Sequence, residues 1–155
     1  MSLQFKTELV INAPPAKVAA VFSDMNQWQH FMKGLVRVEK LTDGPFGKGT
    51  QFRETRKMFG KEASEFFEVK LYEPPKRIHL YVDGSKGQTG KGEFFFNYDF
   101  IAEAGGTRLI ANSEIKMPGF FAKLLGKLMI KVFKKACDRD LISMKQYIET
   151  GKAAV

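Results

Sequence analysis

From Leu35 to about Met117 apolar and polar residues alternate with a period of two, and the alternation is broken by the stretches DGPFGKG, FG, EPPK, DGSKGQTGKG and AGGT. Period two sends successive side chains to opposite faces of a strand, and Gly- or Pro-bearing interruptions mark turns. Six strands in an antiparallel meander fit this spacing. One face of such a sheet is apolar throughout, so a further element of the chain has to cover it.

The alternation also sets a register, because a one-residue slip would move every side chain to the other face. Read as a two-residue hairpin, the Gly105-Gly106 turn sets Phe100 opposite Ala111, Tyr98 opposite Ser113 and Phe96 opposite Ile115. On the other face it pairs Glu103 with Arg108 and Asn97 with Glu114. One strand further back, Ile78 falls beside Tyr98, Leu80 beside Phe96 and Val82 beside Phe94, with Arg77 opposite Asp99 as a favourable charge pair. In the middle hairpin a turn at Phe59-Gly60 pairs Glu54 with Glu65 and Arg56 with Ala63, on the face shared by Phe52, Phe67, Val69 and Leu71.

The ends of the chain supply the cover. After a first strand, FKTELVI, the segment NAPPAKVAAVFSDM predicts a short helix with Asn12 as its cap, prolines in the first turn, and Val18, Val21 and Phe22 at helical spacing. NQWQHFM repeats the pattern over one or two turns. At 100° per residue, residues 119–149 form a long helix with Lys123, Lys127, Lys131, Lys134 and Lys145 on one side. Ala122, Leu125, Gly126, Met129, Val132, Phe133, Ala136, Met144 and Tyr147 fall on the other. The wide apolar side is expected to pack on the sheet, and the lysines are its solvated side. Asp140 falls on the inner side, where a carboxylate requires a partner or an open helix end.

A chain of 155 residues is one ordinary domain, taken as residues 1–155, and no apolar run approaches the length needed to span a bilayer. The N-terminal MSLQFKTELV lacks the features of a secretory signal, so a cytoplasmic protein is expected. With Cys137, His30 and His79 as the only thiol and imidazoles, no metal-ligand spacing exists, and neither a metal nor a cofactor is expected. A net charge of +8 favours anionic partners in general, yet the aromatics alternate on an inward face without an RNA- or DNA-binding signature, so nucleic acid is not expected.

Small residues on the inner side of the helix, Ala122 and Gly126, face a row of strand aromatics and leave room for a ligand cavity. The expected lining is Phe52, Phe67, Leu80, Phe96, Tyr98, Phe100, Leu109, Ala111, Ser113, Phe121, Ala122, Leu125, Gly126 and Met129. Glu54, Arg56, Glu65 and Tyr98 are the candidate catalytic groups, with Arg56 expected to bridge the two glutamates or the cluster to sit at a wet mouth. The other reading of these charges is a hairpin that projects past the core with an exposed tip.

Four short stretches in order carry a family resemblance: INAPPAKVAAVFSDMNQWQHF, GKGTQFRE, YEPPKRIHLY and YDFIAEAGGTRLIANSEI, followed by the long C-terminal helix. Together they resemble the START-like, helix-grip superfamily (SRPBCC), of the polyketide cyclase/dehydrase and lipid-transport type. The resemblance implies an α+β helix-grip fold, a seven-stranded curved antiparallel sheet around the C-terminal helix with two short helices after strand 1. It also implies a hydrophobic tunnel that binds lipids, sterols, polyketides or similar molecules, with no universal catalytic residue.

Three function classes follow. The first is a carrier or sensor that buries an apolar small molecule, lipid-like or aromatic, without catalysis. The second is a cyclase or dehydratase in which Glu54 or Glu65 is the base and Arg56 or Tyr98 steadies a developing enolate. In the third, the basic helix and Phe120, Phe121 and Leu124 dock transiently on an anionic membrane or on a protein. Tyr81 and Phe95, neighbours on the outer face, are a further candidate contact.

Overall fold

The computed structural model describes residues 2–88, 90–119 and 121–155, and the backbone alone for 121–125. The seven strands are β1 (Ser2–Ile11), β2 (Leu35–Lys40), β3 (Gln51–Met58), β4 (Lys61–Glu73), β5 (Arg77–Asp83), β6 (Glu93–Glu103) and β7 (Gly106–Lys116). They form one antiparallel sheet in the order β1-β7-β6-β5-β4-β3-β2. A short helix, α1 (Pro15–Phe22), and a 3-10 turn, Trp28–His30, follow β1, and α2 (Phe121–Thr150) closes the chain. No helix among the described residues is long and apolar enough to cross a membrane.

The expected pairings of β5 with β6 and of β3 with β4 are those observed: Ile78 with Tyr98, Arg77 with Asp99, Glu54 with Glu65, and Arg56 with Ala63. The last hairpin is displaced by two residues. Its turn is Ala104-Gly105, with Glu103 paired to Gly106, so Phe100 faces Leu109, Tyr98 faces Ala111, Phe96 faces Ser113 and Asn97 faces Asn112. The two glycines have different roles. Gly105 takes the left-handed backbone of the turn at φ +79°, whereas Gly106 is a strand residue whose Cβ would lie 2.3 Å from the Ile11 carbonyl oxygen. A shift of two keeps each side chain on its expected face. Arg108 moves opposite Ile101 but still donates to Glu103, and its Nη1 donates to Glu8 at 2.8 Å.

Two further expectations change. A bulge between Val69 and Leu71 turns Leu71 opposite His79, away from the inner face, and brings Tyr72 opposite Ile78 against the core instead. Asn12 does not cap α1: Pro14 holds the cap position with no side-chain bond, and the Asn12 backbone N–H donates to the Glu149 carboxylate of α2 at 3.0 Å.

The concave face of the sheet holds a core in which Val18, Val21 and Phe22 of α1 meet Ile78, Phe100 and Leu109 of the sheet and Leu141, Met144 and Ile148 of α2. Trp28 is buried beside them and donates its indole N–H to the Phe22 carbonyl at 3.1 Å. A smaller cluster of Val82, Phe94 and Ile115 is touched by Phe133. Among the described side chains, the tight packing of α2 thus lies in its last turns. Met129 and Val132, expected on the packed side, are exposed, as are Lys127, Lys131 and Lys135, and Leu128 is 65% exposed.

Candidate functional site

A cavity of about 540 Å³ lies between the core and the smaller cluster, under the middle of α2. Its size, with walls mainly of apolar side chains and a few polar groups, makes it the candidate small-molecule site. The strand period places its walls. Phe52, Glu54 and Arg56 are alternate residues of β3, Glu65 and Phe67 face them from β4, and Leu80, Phe96 and Tyr98 come from β5 and β6. Phe52 and Phe67 stack with centroids 4.9 Å apart, and the Tyr98 ring lies 4.5 Å from that of Phe22. Helical spacing brings Met129, Phe133, Ala136, Cys137, Asp140 and Met144 down from α2, and Trp28, Phe31 and Met32 close one side.

Nine of the residues expected to line a site therefore do so: Phe52, Glu54, Arg56, Glu65, Phe67, Leu80, Phe96, Tyr98 and Met129. Phe100, Leu109, Ala111 and Ser113 share the same sheet face but lie outside the lining. They are buried. Phe100 meets the ring of Phe22 at 5.7 Å, and Leu109 and Ala111 belong to the core beneath α1 and the end of α2. A common face does not make a common environment when helices fill part of its concavity. Gly126 is buried but does not line the cavity, and Phe120, Phe121, Ala122, Leu124 and Leu125 fall outside the described side chains. Among the described residues of α2, the small residue on the lining is Ala136, ten positions further along, or roughly 15 Å at the helical rise.

Arg56 bridges two carboxylates, but not the expected two. Its Nε donates to Glu54 and its Nη1 donates to Asp140 at 2.5 Å, so the inner-side aspartate of α2 finds its partner on β3. Glu65 lines the same cavity and lies close to Gly87, whose Cβ would come within 2.1 Å of the Glu65 Oε2. Asp140 Oδ1 is buried, without a hydrogen-bond partner among the described residues, and 3.8 Å from Arg139 Nε. Glu54 is 7% exposed, while Phe59 at the tip of the same hairpin is 89% exposed, so the hairpin both projects and carries a buried cluster.

Burial raises the pKa of Glu54 and of Asp140, and Arg56 only partly offsets it. Burial works against the charge of Arg56 as well, but the two carboxylates more than compensate and hold the guanidinium protonated. Burial pushes the Tyr98 phenol well above its ordinary value and the Cys137 thiol up to about 12, so both are neutral hydrogen-bonding groups. The walls thus combine aromatic surface with the Glu54–Arg56–Asp140 cluster, a third carboxyl in Glu65, a phenol and a thiol. Phe133, Ala136 and Met144 were legible as inner-side positions of the helix, whereas Trp28, Phe31 and Cys137 carried no sequence signal for this site.

No curated protein matches the chain. Among solved structures it is similar to TTHA0849 from Thermus thermophilus, with 19% identity and a TM-score of 0.78 over 94% of this chain and 97% of that one. It is similar to the Zhui aromatase/cyclase from Streptomyces sp. R1128, with 14% identity and a TM-score of 0.80 over 96% and 94%. A third similar structure is Ara h 8.0201, with 18% identity and a TM-score of 0.76 over 96% and 98%. At these identities the likeness establishes the shared helix-grip fold. Membership rests on sequence: the pattern of the family described as polyketide cyclase/dehydrase and lipid transport matches residues 2–149, and the chain belongs to that family.

Proposed function

We propose that residues 1–155 form one ligand-binding domain, a carrier or sensor that buries an apolar small molecule, lipid-like or aromatic, between the sheet and α2. The observation that carries this reading is the cavity of about 540 Å³ with stacked aromatic walls and the Glu54–Arg56–Asp140 cluster. Contact with Phe52, Phe67, Leu80, Phe96 and Met129 removes apolar ligand surface from water at about 25 cal/mol per Å², and the cluster fixes orientation. Native mass spectrometry of freshly purified protein is the test. A co-purifying mass that is lost on denaturation is expected; protein that carries none and takes up neither lipid nor apolar dye refutes the reading.

A cyclase or dehydratase is the second reading, favoured by Glu54 and Glu65 lining the cavity and by the aromatase/cyclase name of one similar structure. Burial raises the pKa of Glu54, the candidate base, and Arg56 and Tyr98 line the same cavity as candidate donors to a developing enolate. Incubation with a poly-β-ketone thioester tests it; no change in product pattern beyond buffer alone removes this reading.

Either activity needs a route for an apolar molecule through water, and the rim offers one. Lys57, Met58 and Met129 line the cavity, and next to them along the chain Phe59 on the hairpin and Leu128 and Val132 on α2 are exposed, as are Lys61 on the hairpin and Lys127, Lys131 and Lys135 on α2. Exposed apolar side chains interspersed with cations along these elements suit the interface of an anionic bilayer. Co-sedimentation with phosphatidylserine vesicles, absent with phosphatidylcholine, is expected, and equal binding to neither or both refutes docking of this kind.

A further inference from the structure

One wall of the cavity sets two carboxyls on one guanidinium, Glu65 lines the cavity as a third carboxyl, and the guanidinium is already committed. Arg56 donates to Glu54 through Nε and to Asp140 through Nη1. With both carboxyls ionised the trio is negative; with one proton between them it is neutral. In neither state does it offer an unmatched positive charge. An anionic group brought here would compete with two built-in anions for one cation and leave a carboxylate buried without its partner, which is costly. A buried acceptor points the same way: Asp140 Oδ1 has no hydrogen-bond partner among the described residues, lies 3.8 Å from the exposed Arg139, and its side chain lines the cavity. Cys137 and Tyr98 beside it are neutral. The other cations that line the cavity, Lys33, Lys57 and Arg139, are exposed, so water and salt screen them.

We propose that the Glu54–Arg56–Asp140 wall selects an otherwise apolar ligand by a hydrogen-bond-donating group, a hydroxyl or an ammonium, received by Asp140, and discriminates against carboxylates and phosphates. This rests on the cavity being a binding site. It narrows the ligand class from any lipid-like molecule to alcohols, phenols and amines, and sets fatty acids aside.

Displacement of the neutral dye N-phenyl-1-naphthylamine by four naphthalene probes tests it: naphthalene, 2-naphthol, 2-naphthylmethylamine and 2-naphthoate share one apolar body. The hydroxyl and ammonium probes are expected to displace the dye at concentrations about tenfold below naphthalene, with 2-naphthoate the weakest, since one bond to a charged acceptor is worth a tenfold change or more. The 2-naphthol and 2-naphthylmethylamine arms tell a neutral donor from a cationic one. In an Asp140→Asn variant, shown folded by its circular dichroism melt, the ammonium preference is expected to fall by about tenfold. Displacement led by 2-naphthoate, or equal for all four, overturns the donor assignment while leaving the cavity reading intact. A protein that binds no dye at all overturns both.

Discussion

The guanidinium of Arg56 on β3 reaches the Asp140 carboxylate on α2 at 2.5 Å, joining positions 84 apart in sequence across the cavity. The bond ties the middle of the long helix to β3. Removing the cation leaves two buried carboxylates facing each other, so Arg56→Met is expected to cost about 3–5 kcal/mol at neutral pH. Asp140→Asn leaves the Glu54–Arg56 pair intact and is expected to stay within about 1 kcal/mol. Urea unfolding of the two variants checks this: equal losses would mean the guanidinium is not what compensates the pair.

The same cluster gives stability a pH dependence of known sign. Glu54 and Asp140 have native pKa values above the ordinary 4.5 and 3.8, so the native state holds protons that the unfolded chain releases. Their favourable contribution is present below those ordinary values and is lost as pH rises through the native ones. Exposed carboxylates shift the other way, Glu8 and Glu149 among them, so the cluster has to be isolated by difference. Relative to a Glu54→Gln/Asp140→Asn double variant, the wild type is expected to lose stability as pH rises from about 4 and then level off. A gap that is flat with pH would mean that neither carboxyl is perturbed.

The register of three hairpins was legible to within two residues because period two fixes faces, and faces are what burial selects. What period two cannot fix is where turns fall between adjacent glycines, as at Gly105-Gly106, or where a bulge flips the remainder of a strand, as after Val69. The polar half of the site was legible as a list of groups, Glu54, Arg56, Glu65 and an inner Asp140. Their pairing was not, because Arg56 has Glu54 on its own strand and Glu65 across the hairpin, and pairs with Glu54 and with Asp140 from the helix. Only the packing of α2 over the sheet decides between them.

That packing separates core from cavity, and paired substitutions read the difference. Leu109 is fully buried in the core, and Leu109→Ala is expected to cost about 2–5 kcal/mol with dye affinity unchanged. Ala136 lines open space, and Ala136→Phe is expected to reduce dye affinity at least about tenfold by filling it while changing stability by less than about 1 kcal/mol. Thermal melts and dye titrations of both variants decide it. Dye binding that follows Leu109 and ignores Ala136 would move the site toward the residues now assigned to the core.

Phe59 offers a test in which stability and interaction have opposite signs. It is a non-glycine residue in left-handed backbone, φ 50°, at the tip of the β3–β4 hairpin, with its ring almost wholly in water. Neither local geometry nor burial favours phenylalanine there. Asparagine tolerates this backbone, so Phe59→Asn is expected to stabilise the fold by on the order of 0.5–1 kcal/mol. If the ring inserts into an anionic bilayer, the same substitution weakens co-sedimentation with phosphatidylserine vesicles several-fold, while dye binding in solution is unchanged because Phe59 does not line the cavity. A residue that costs folding and supports docking is held by function; a variant that is destabilised, or binds vesicles as before, shows the ring packing within the protein instead.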